Sequence, residues 1–386
     1  MQSFYNGLGG MLNFSKSLDN VSNNIGNMNT PGFRGNDLFM RGLGGDMQGD
    51  GATIGVKVAR DQAGDLKQTG VATDLAINGD GLFILKNDSG DIFYSRAGQF
   101  KFNEKNVLVD GATGMQVMAI NSAGALSKID ISTSKTLSPE ATTAIDLLGN
   151  LSSTDTSYSL TNVTVYNSVG DKFQLKLDFA KAAAPATNTW NVTVKSASDA
   201  VLGTFTTQFG ADATPLTGFN SINQTLVLGT SSQTIAFNFG ASGSLSGATQ
   251  LSGTSNLGAM SKDGHAILGL SSLSVDTDGV IQFKYTNGTT KSGQQVGIAL
   301  FNDPSTLAAT HNGMLKANNN TGLKYGKPSN ALFGSIQSKS IEMSNVDLTQ
   351  EFADILIIQR GYQASSRIMS VSNDLLDQLY NSTRSK

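Results

Sequence analysis

The side chains that most often do chemistry are few in this chain, and none is spaced to act. His265 and His311 are its two histidines, and no residue three to five places on from either completes a zinc pair. Each therefore reads as a surface or hairpin histidine. Asp276-Thr277-Asp278-Gly279 has the opening of a calcium loop. The bidentate Glu such a loop needs is missing, and Asn287-Gly288 stands in its place, so a β-turn explains the run better. Asn78-Gly79-Asp80-Gly81 gets the same reading. Gly42-Leu43-Gly44-Gly45 does not join a strand to a helix, so it is no phosphate cradle. No Gly-x-Ser-x-Gly elbow is present. The chain has 0 cysteines, which removes disulfides, thiolate metal sites and cysteine nucleophiles together. The catalytic inventory is empty, and no enzyme activity, metal or cofactor is expected.

The periodicities point to assembly instead. Toward the C-terminus, Leu348, Phe352, Ile355, Tyr362, Met369, Leu376 and Tyr380 recur at alternating steps of four and three, interrupted by Gln359, Ser366 and Asn373. Ile358, Ile368, Leu375 and Leu379 add a neighbouring stripe. Asp347 followed by Gln350 resembles a capping box. A helix starting there would run roughly 50 Å. Gly361 is its expected weak point, costing on the order of 1 kcal/mol against alanine. The N-terminus repeats the pattern with Phe4, Leu8, Met11, Leu18 and Ile25 on one stripe. Gly7, Gly9 and Gly10 weaken that helix, which should end at Gly26, before Thr30-Pro31-Gly32. Two marginal helices, each with an apolar stripe, are expected to cover each other and to supply a polymerisation interface.

Between the ends the sequence reads as antiparallel β structure. Asp278-Gly279 and Asn287-Gly288 are tight-hairpin dipeptides between apolar runs. Strict alternation of Phe173, Leu175, Leu177 and Phe179, then Trp190, Val192 and Val194, then Ile235, Phe237 and Phe239 predicts strands with one buried face. Of the 386 residues 15% are charged, 43 are Gly, and the net charge is -3. Such a chain lacks the basic stripe of a nucleic-acid binder. The longest aliphatic stretch, Ile355-Leu356-Ile357-Ile358, is too short to insert in a membrane. Met1-Gln2-Ser3-Phe4-Tyr5-Asn6-Gly7 lacks the basic and apolar regions of a cleaved signal peptide. The expected fold is mainly β with terminal α-helices. The helices form a coiled-coil-like domain, residues 1–28 and 345–386, followed by a connecting segment, 29–70. Of two β domains, one (71–140 and 262–344) is discontinuous, and the other (141–261) is inserted in it.

Several blocks in order carry a family resemblance. Asn23-Asn24-Ile25-Gly26-Asn27-Met28-Asn29-Thr30-Pro31-Gly32-Phe33 resembles the N-terminal signature of the bacterial flagellar rod and hook proteins, with Asn23, Asn24, Ile25, Asn27, Thr30, Gly32 and Phe33 on its pattern. Thr73-Asp74-Leu75-Ala76-Ile77-Asn78-Gly79-Asp80-Gly81-Leu82-Phe83 resembles the next block, and Tyr94-Ser95-Arg96-Ala97-Gly98-Gln99-Phe100, with Leu108-Val109-Asp110, the one after. Near the end Asn345, Val346, Asp347 and Leu348, then Gln359, Arg360 and Tyr362, match the C-terminal helix start and core. Gly361 departs from the pattern, since many members carry a bulkier residue there.

The resemblance implies a structural subunit, and its length with an inserted β domain suits the hook-type members better than the shorter rod type. It implies a helical homopolymer, a short curved tube on the cell surface that acts as a universal joint passing motor torque to the filament. Export would use the flagellar type III apparatus, and the partners would be rod, hook cap and hook–filament junction proteins. The helices would line the channel, with the flanking β domain around them and the inserted domain outermost. The apolar helical contacts are expected to hold, while segment 35–55 and the β surfaces slide. Two alternatives stand beside this: a distal rod protein of the same family, and an extracellular carbohydrate-binding β protein with Trp190 in its sugar platform.

Overall fold

The computed structural model describes residues 2–43, 51–121, 123–183, 185, 188–303, 306–310, 313–319, 321–330 and 332–384. His311, Gly44 and Gly45 lie outside them. Among the described residues the α-helices are α1 (Gln2–Gly26) and α2 (Leu348–Arg384), and most of the intervening chain is strand and turn. The chain is thus mainly β with a helix toward each end. It divides into two compact units: Met1–Thr133, Ser272–Lys284 and Thr290–Lys386 in one, Ser134–Ser271 and Tyr285–Thr289 in the other.

The first unit holds both helices. After α1 the chain forms an antiparallel hairpin of β1 (Asn36–Gly42) and β2 (Ala52–Ala59), with a register shift between Phe39 and Met40, where the sequence suggested only a connecting segment. Next come β3 (Leu66–Gln68), β4 (Leu75–Asn78), β5 (Leu82–Lys86) and β6 (Ile92–Ser95). β5 and β6 lie within a ten-stranded sheet. Its core packs Ile84, Tyr94, Met118, Ala299 and Phe301, with Tyr94 and Phe301 edge to face at 4.8 Å. Burial pushes the Tyr94 phenol well above its ordinary pKa, and the hydroxyl meets that of Tyr325 at 3.0 Å. The chain then returns to close this unit: Ser335–Ser338 pairs with β4, and Ser340–Glu342 with β3.

The second unit is a β-sandwich. Strands Ser157–Tyr166, Lys172–Lys181, Thr189–Ser196 and Val201–Gln208 form one antiparallel sheet. The other contains Ala144–Asn150, Ser221–Leu228 and Ser231–Asn238. The two inner faces share one core, in which Leu175, Leu177, Phe179, Trp190, Val192, Val194, Ile235, Phe237 and Phe239 are all buried. The alternating residues thus point inward as their period requires, except that Phe173 is only half-buried. One expectation fails: Ala144–Asn150 runs parallel to Ser231–Asn238 and to Ala248–Thr249. Those neighbours are far apart in sequence, and no tight-turn dipeptide can announce such a pairing.

The turn dipeptides sit where expected. Gly279 N donates to Asp276 O at 3.0 Å, and Gly288 N donates to Tyr285 O at 2.9 Å. The Asp276 carboxylate accepts from Asp278 N, Val280 N and Gln282 Nε2 at 2.8–3.1 Å, so its own hairpin engages it.

Candidate polymerisation interface and the latch at its root

α1 and α2 pack antiparallel, with Asn24 opposite Glu351 at one end and Gly7 beside Met369 toward the other. Of the expected stripes only Ile358 and Met369 join this seam. Leu8 and Leu18 are exposed, and Phe4, Met11 and Ile25 are only half-buried. The seam instead uses Gly7, Gly10, Phe14, Val21 and Asn24 from α1 against Glu351, Ile358, Gly361, Ser365 and Met369 from α2. Small residues explain the choice. A Cβ on Gly7 would stand 3.2 Å from the Ser365 carbonyl oxygen, and one on Gly10 2.6 Å from Ser365 Oγ. The terminal glycines are therefore where the two backbones come close. Gly361 does not break α2, which is continuous through it. Any Cβ there would run into the Phe14 ring, so the missing side chain is filled from the other helix.

At the root of the pair, motif residues form a polar latch. Asn24 Nδ2 donates to Asn36 O at 3.0 Å and to both Glu351 carboxylate oxygens at 3.3 Å, while Asn24 Oδ1 accepts from Asn36 N at 3.0 Å. Arg60 bridges the Glu351 carboxylate at 2.8 Å and that of Asp37 at 2.9 Å. The Asp37 hydrogen bond raises the Arg60 pKa, burial opposes it, and Glu351 adds to the rise. Asn345 Oδ1 accepts from Gly35 N at 2.8 Å, and its Nδ2 donates to Gln62 O at 2.6 Å. Asp347 caps α2 by accepting from Thr349 N at 2.7 Å and Gln350 N at 3.4 Å, and those backbone N–H groups hold its carboxyl below the usual range. Val346 is buried next to this cap.

Asn23, Asn27, Thr30, Gly32 and Phe33 make the turn that leads out of α1. Asn27 Nδ2 donates to Asn23 O at 2.9 Å, Thr30 Oγ1 donates to Asn27 Oδ1 at 3.1 Å, and Phe33 N donates to Thr30 O at 3.2 Å. Gly32, at φ +71°, presses on Ala97 where a Cβ would collide, and its N–H donates to Glu342 O at 2.8 Å. Glu342 in turn pairs with Arg96, and these side chains are 1% and 3% exposed. The Arg96 guanidinium also donates to the carbonyls of Ile77, Gly79 and Gly81 at 2.5–2.8 Å. Burial lowers the Arg96 pKa and Glu342 opposes the fall. The Asn78–Gly81 run is thus the rim of an arginine cradle.

α1 also carries asparagines a heptad apart, at positions 6, 13 and 20, on the side that meets the hairpin. Asn13 Nδ2 donates to Ala52 O at 2.5 Å, Asn20 Nδ2 donates to Asn36 O at 2.6 Å, and Gly51 approaches Asn6 Oδ1.

The outer surface of the helix pair is apolar. Of the expected interface residues, Leu8, Leu18, Leu348, Phe352, Tyr362, Leu375, Leu376 and Leu379 are exposed, Ile355 and Met369 are half-buried, and Ile358 is buried. Gln359 and Arg360 also face outward. The periodic reading passed over Tyr5, Leu12, Leu356, Ile357 and Val371, all exposed. On α2, Leu356 and Ile357 are open at 64% and 66%. The contiguous run 355–358 was the available signal, because four aliphatic residues in a row cannot all face one partner helix.

His265 lies in a bridge, with Nδ1 2.8 Å from Ala266 O and Nε2 3.7 Å from Glu140. Trp190 is 0% exposed, so it offers no face to a sugar. No helix among the described residues is long and apolar enough to cross a membrane.

Helices that leave apolar faces outward, rooted by polar latches in a β body, define a structural assembly protein. Four family models match in chain order: "Flagella basal body rod protein" at residues 4–34, "Flagellar hook protein FlgE/F/G D1 domain" at 76–152, "Flagellar basal body protein FlaE D2 domain" at 133–295 and "Flagellar basal body rod FlgEFG protein C-terminal" at 337–382. The flagellar hook protein FlgE of Brucella suis is 29% identical over 98% of this chain and 98% of its own. That of Escherichia coli is 29% identical over 98% and 99%. The crystal structure of Helicobacter pylori flagellar hook protein FlgE2 shares the fold, with a TM-score of 0.52 and 13% identity over 72% of this chain and 100% of that one. The chain belongs to the flagellar hook protein family and is a structural protein of the flagellum, not an enzyme.

Proposed function

We propose that this chain is the repeating subunit of a flagellar hook, polymerising through its terminal helices into a short curved tube. The observation that carries this is the doubly faced helix pair. One side of α2 is taken up by α1, while Phe352, Leu356, Ile357, Ile368, Val371, Leu375 and Leu379 remain in solvent. An apolar surface of this extent on a folded chain marks an interface with another molecule, and a homopolymer supplies it with copies of itself. The tube would act as a universal joint between motor and filament, outside the cell, reached through the flagellar type III export apparatus and joined to rod, hook cap and hook–filament junction proteins. Absence of disulfides suits passage as an unfolded chain.

Bending asks some contacts to hold and others to exchange. The helix pair, closely packed, resists register change. The β1–β2 hairpin is held on α1 by side-chain amides on backbone carbonyls, contacts that can re-form on neighbouring carbonyls at small cost. The flanking β body and the inserted sandwich are proposed as the middle and outer layers.

Electron microscopy of the purified chain beside Leu356→Asp and Ile357→Asp tests the reading. Both side chains are exposed, so the subunit should fold unchanged while tubes disappear. Undiminished tubes from both variants would refute it. A rigid, straight tube from the unaltered chain would favour the distal-rod alternative.

A further inference from the structure

We infer that Phe14 and Gly361 set the register of α1 against α2, and so determine which outer residues of the two helices stand side by side. The inference deepens the assembly reading and rests on it for its functional meaning, though not for its geometry.

The pairing follows one antiparallel register: Asn24 faces Glu351, Phe14 faces Gly361 and Gly10 faces Ser365. The polar latch pins only the root. Phe14 lies about 15 Å farther along α1, and beyond it the seam consists of Gly7, Gly10 and Ser365, with Met369 at the edge. Glycine against serine makes a smooth contact with nothing to catch, and a shift of about one turn would keep the backbones close.

Phe14 supplies the catch. Its ring fills the volume that a Cβ on Gly361 would need, with three ring carbons in that space. A shift of one turn would carry the ring onto Ser365 or Ile358, the seam positions on either side of Gly361. Both bear a Cβ and would hold the helices apart. The outer apolar residues depend on the same register. Leu8 and Leu12 on α1 line up with their neighbours on α2 only while the ring stays in its notch.

The chain has 0 cysteines, so introduced pairs report register directly. A Cβ at position 10 lies 3.4 Å from that of Ser365, close to the span of a disulfide. Gly10→Cys with Ser365→Cys reports the native register, and Gly10→Cys with Met369→Cys a shift of one turn. Each pair is oxidised in the dilute full-length chain. With Phe14 present, only the first should cross-link efficiently. In Phe14→Ala the native-to-shifted ratio should fall about tenfold, equivalent to about 1.4 kcal/mol of register preference. Gly361→Ala should lower it from the opposite helix, and Phe14→Leu should largely keep it. An unchanged ratio in Phe14→Ala and Gly361→Ala overturns the inference. So does equal loss of both cross-links, or failure of the native pair with Phe14 present. Tube formation by the same variants without cysteines is scored separately. A shifted register with normal tubes would count against the helices as the assembly surface while leaving the register role intact.

Discussion

Replacing Glu342 by alanine should destabilise the helix-bearing unit by breaking a fully buried ion pair. The carboxylate and its partner Arg96 are 1% and 3% exposed, so solvent screening takes almost nothing from their interaction. Without Glu342, Arg96 keeps its bonds to the carbonyls of Ile77, Gly79 and Gly81 but loses its counter-charge. Gly64 N loses an acceptor at 3.1 Å. Breaking one partner out of a buried pair costs about 3–5 kcal/mol, because the survivor is left charged and dry. Burial already lowers the Arg96 pKa with Glu342 present, so the unpaired cation is strongly disfavoured. For a unit of this size the cost corresponds to a fall in Tm of roughly 6–20 °C. Thermal unfolding followed by tyrosine near-ultraviolet dichroism and by hydrogen exchange at β5 would measure it. Trp190, the chain's 1 tryptophan, lies in the other unit, and its emission should melt where it did before. Glu342→Gln, which keeps an acceptor, should cost less, and Arg96→Met with Glu342→Leu should recover most of the loss. A cost below about 1 kcal/mol for Glu342→Ala would refute the clamp, as would a double variant no better than the single one.

Asn24→Ala should cost about 1–3 kcal/mol in denaturant unfolding, because Asn36 N and Glu351 lose a buried partner together. Trp190→Ala should cost about 3–5 kcal/mol, read in the sandwich's own transition, and should leave tube formation intact below that transition. The Asp347 carboxyl is held below its ordinary pKa by the N–H groups of Thr349 and Gln350. Its support of α2 is therefore fully present above about pH 3.9, the unfolded value, and is lost as pH falls through the lower folded value. Helicity should drop over that acid window in the native chain, and Asp347→Asn should lack this component.

Much of this architecture was legible in the residues. Gly26 marked the end of α1, Asp347 the start of α2, and Asn-Gly and Asp-Gly the hairpin turns, because capping and turn chemistry act within a few residues. The alternation around Trp190 gave the sandwich core for the same local reason. The seam between the helices was not legible. Period analysis counts large apolar residues and is blind to glycine, so it chose Leu8 and Leu18 where Gly7 and Gly10 make the contact. Gly361 looked like a weakness because the ring that fills it comes from a residue 347 positions earlier. Arg96 and Glu342 lay in quoted or neighbouring motif positions, but their pairing joins distant strands, and no spacing rule links them. The parallel placement of Ala144–Asn150 escaped for the same long-range reason.

In the proposed tube the terminal helices hold the polymer together through the apolar faces they turn away from each other. A helical reconstruction of the assembled tube by electron cryomicroscopy tests it most directly. α1 and α2 should line the inner wall, with Leu356, Ile357 and Leu375 buried against a neighbouring copy and Phe14 still seated over Gly361. Helices on the outside of the tube, or those three side chains still facing solvent within it, would refute this role for the helices.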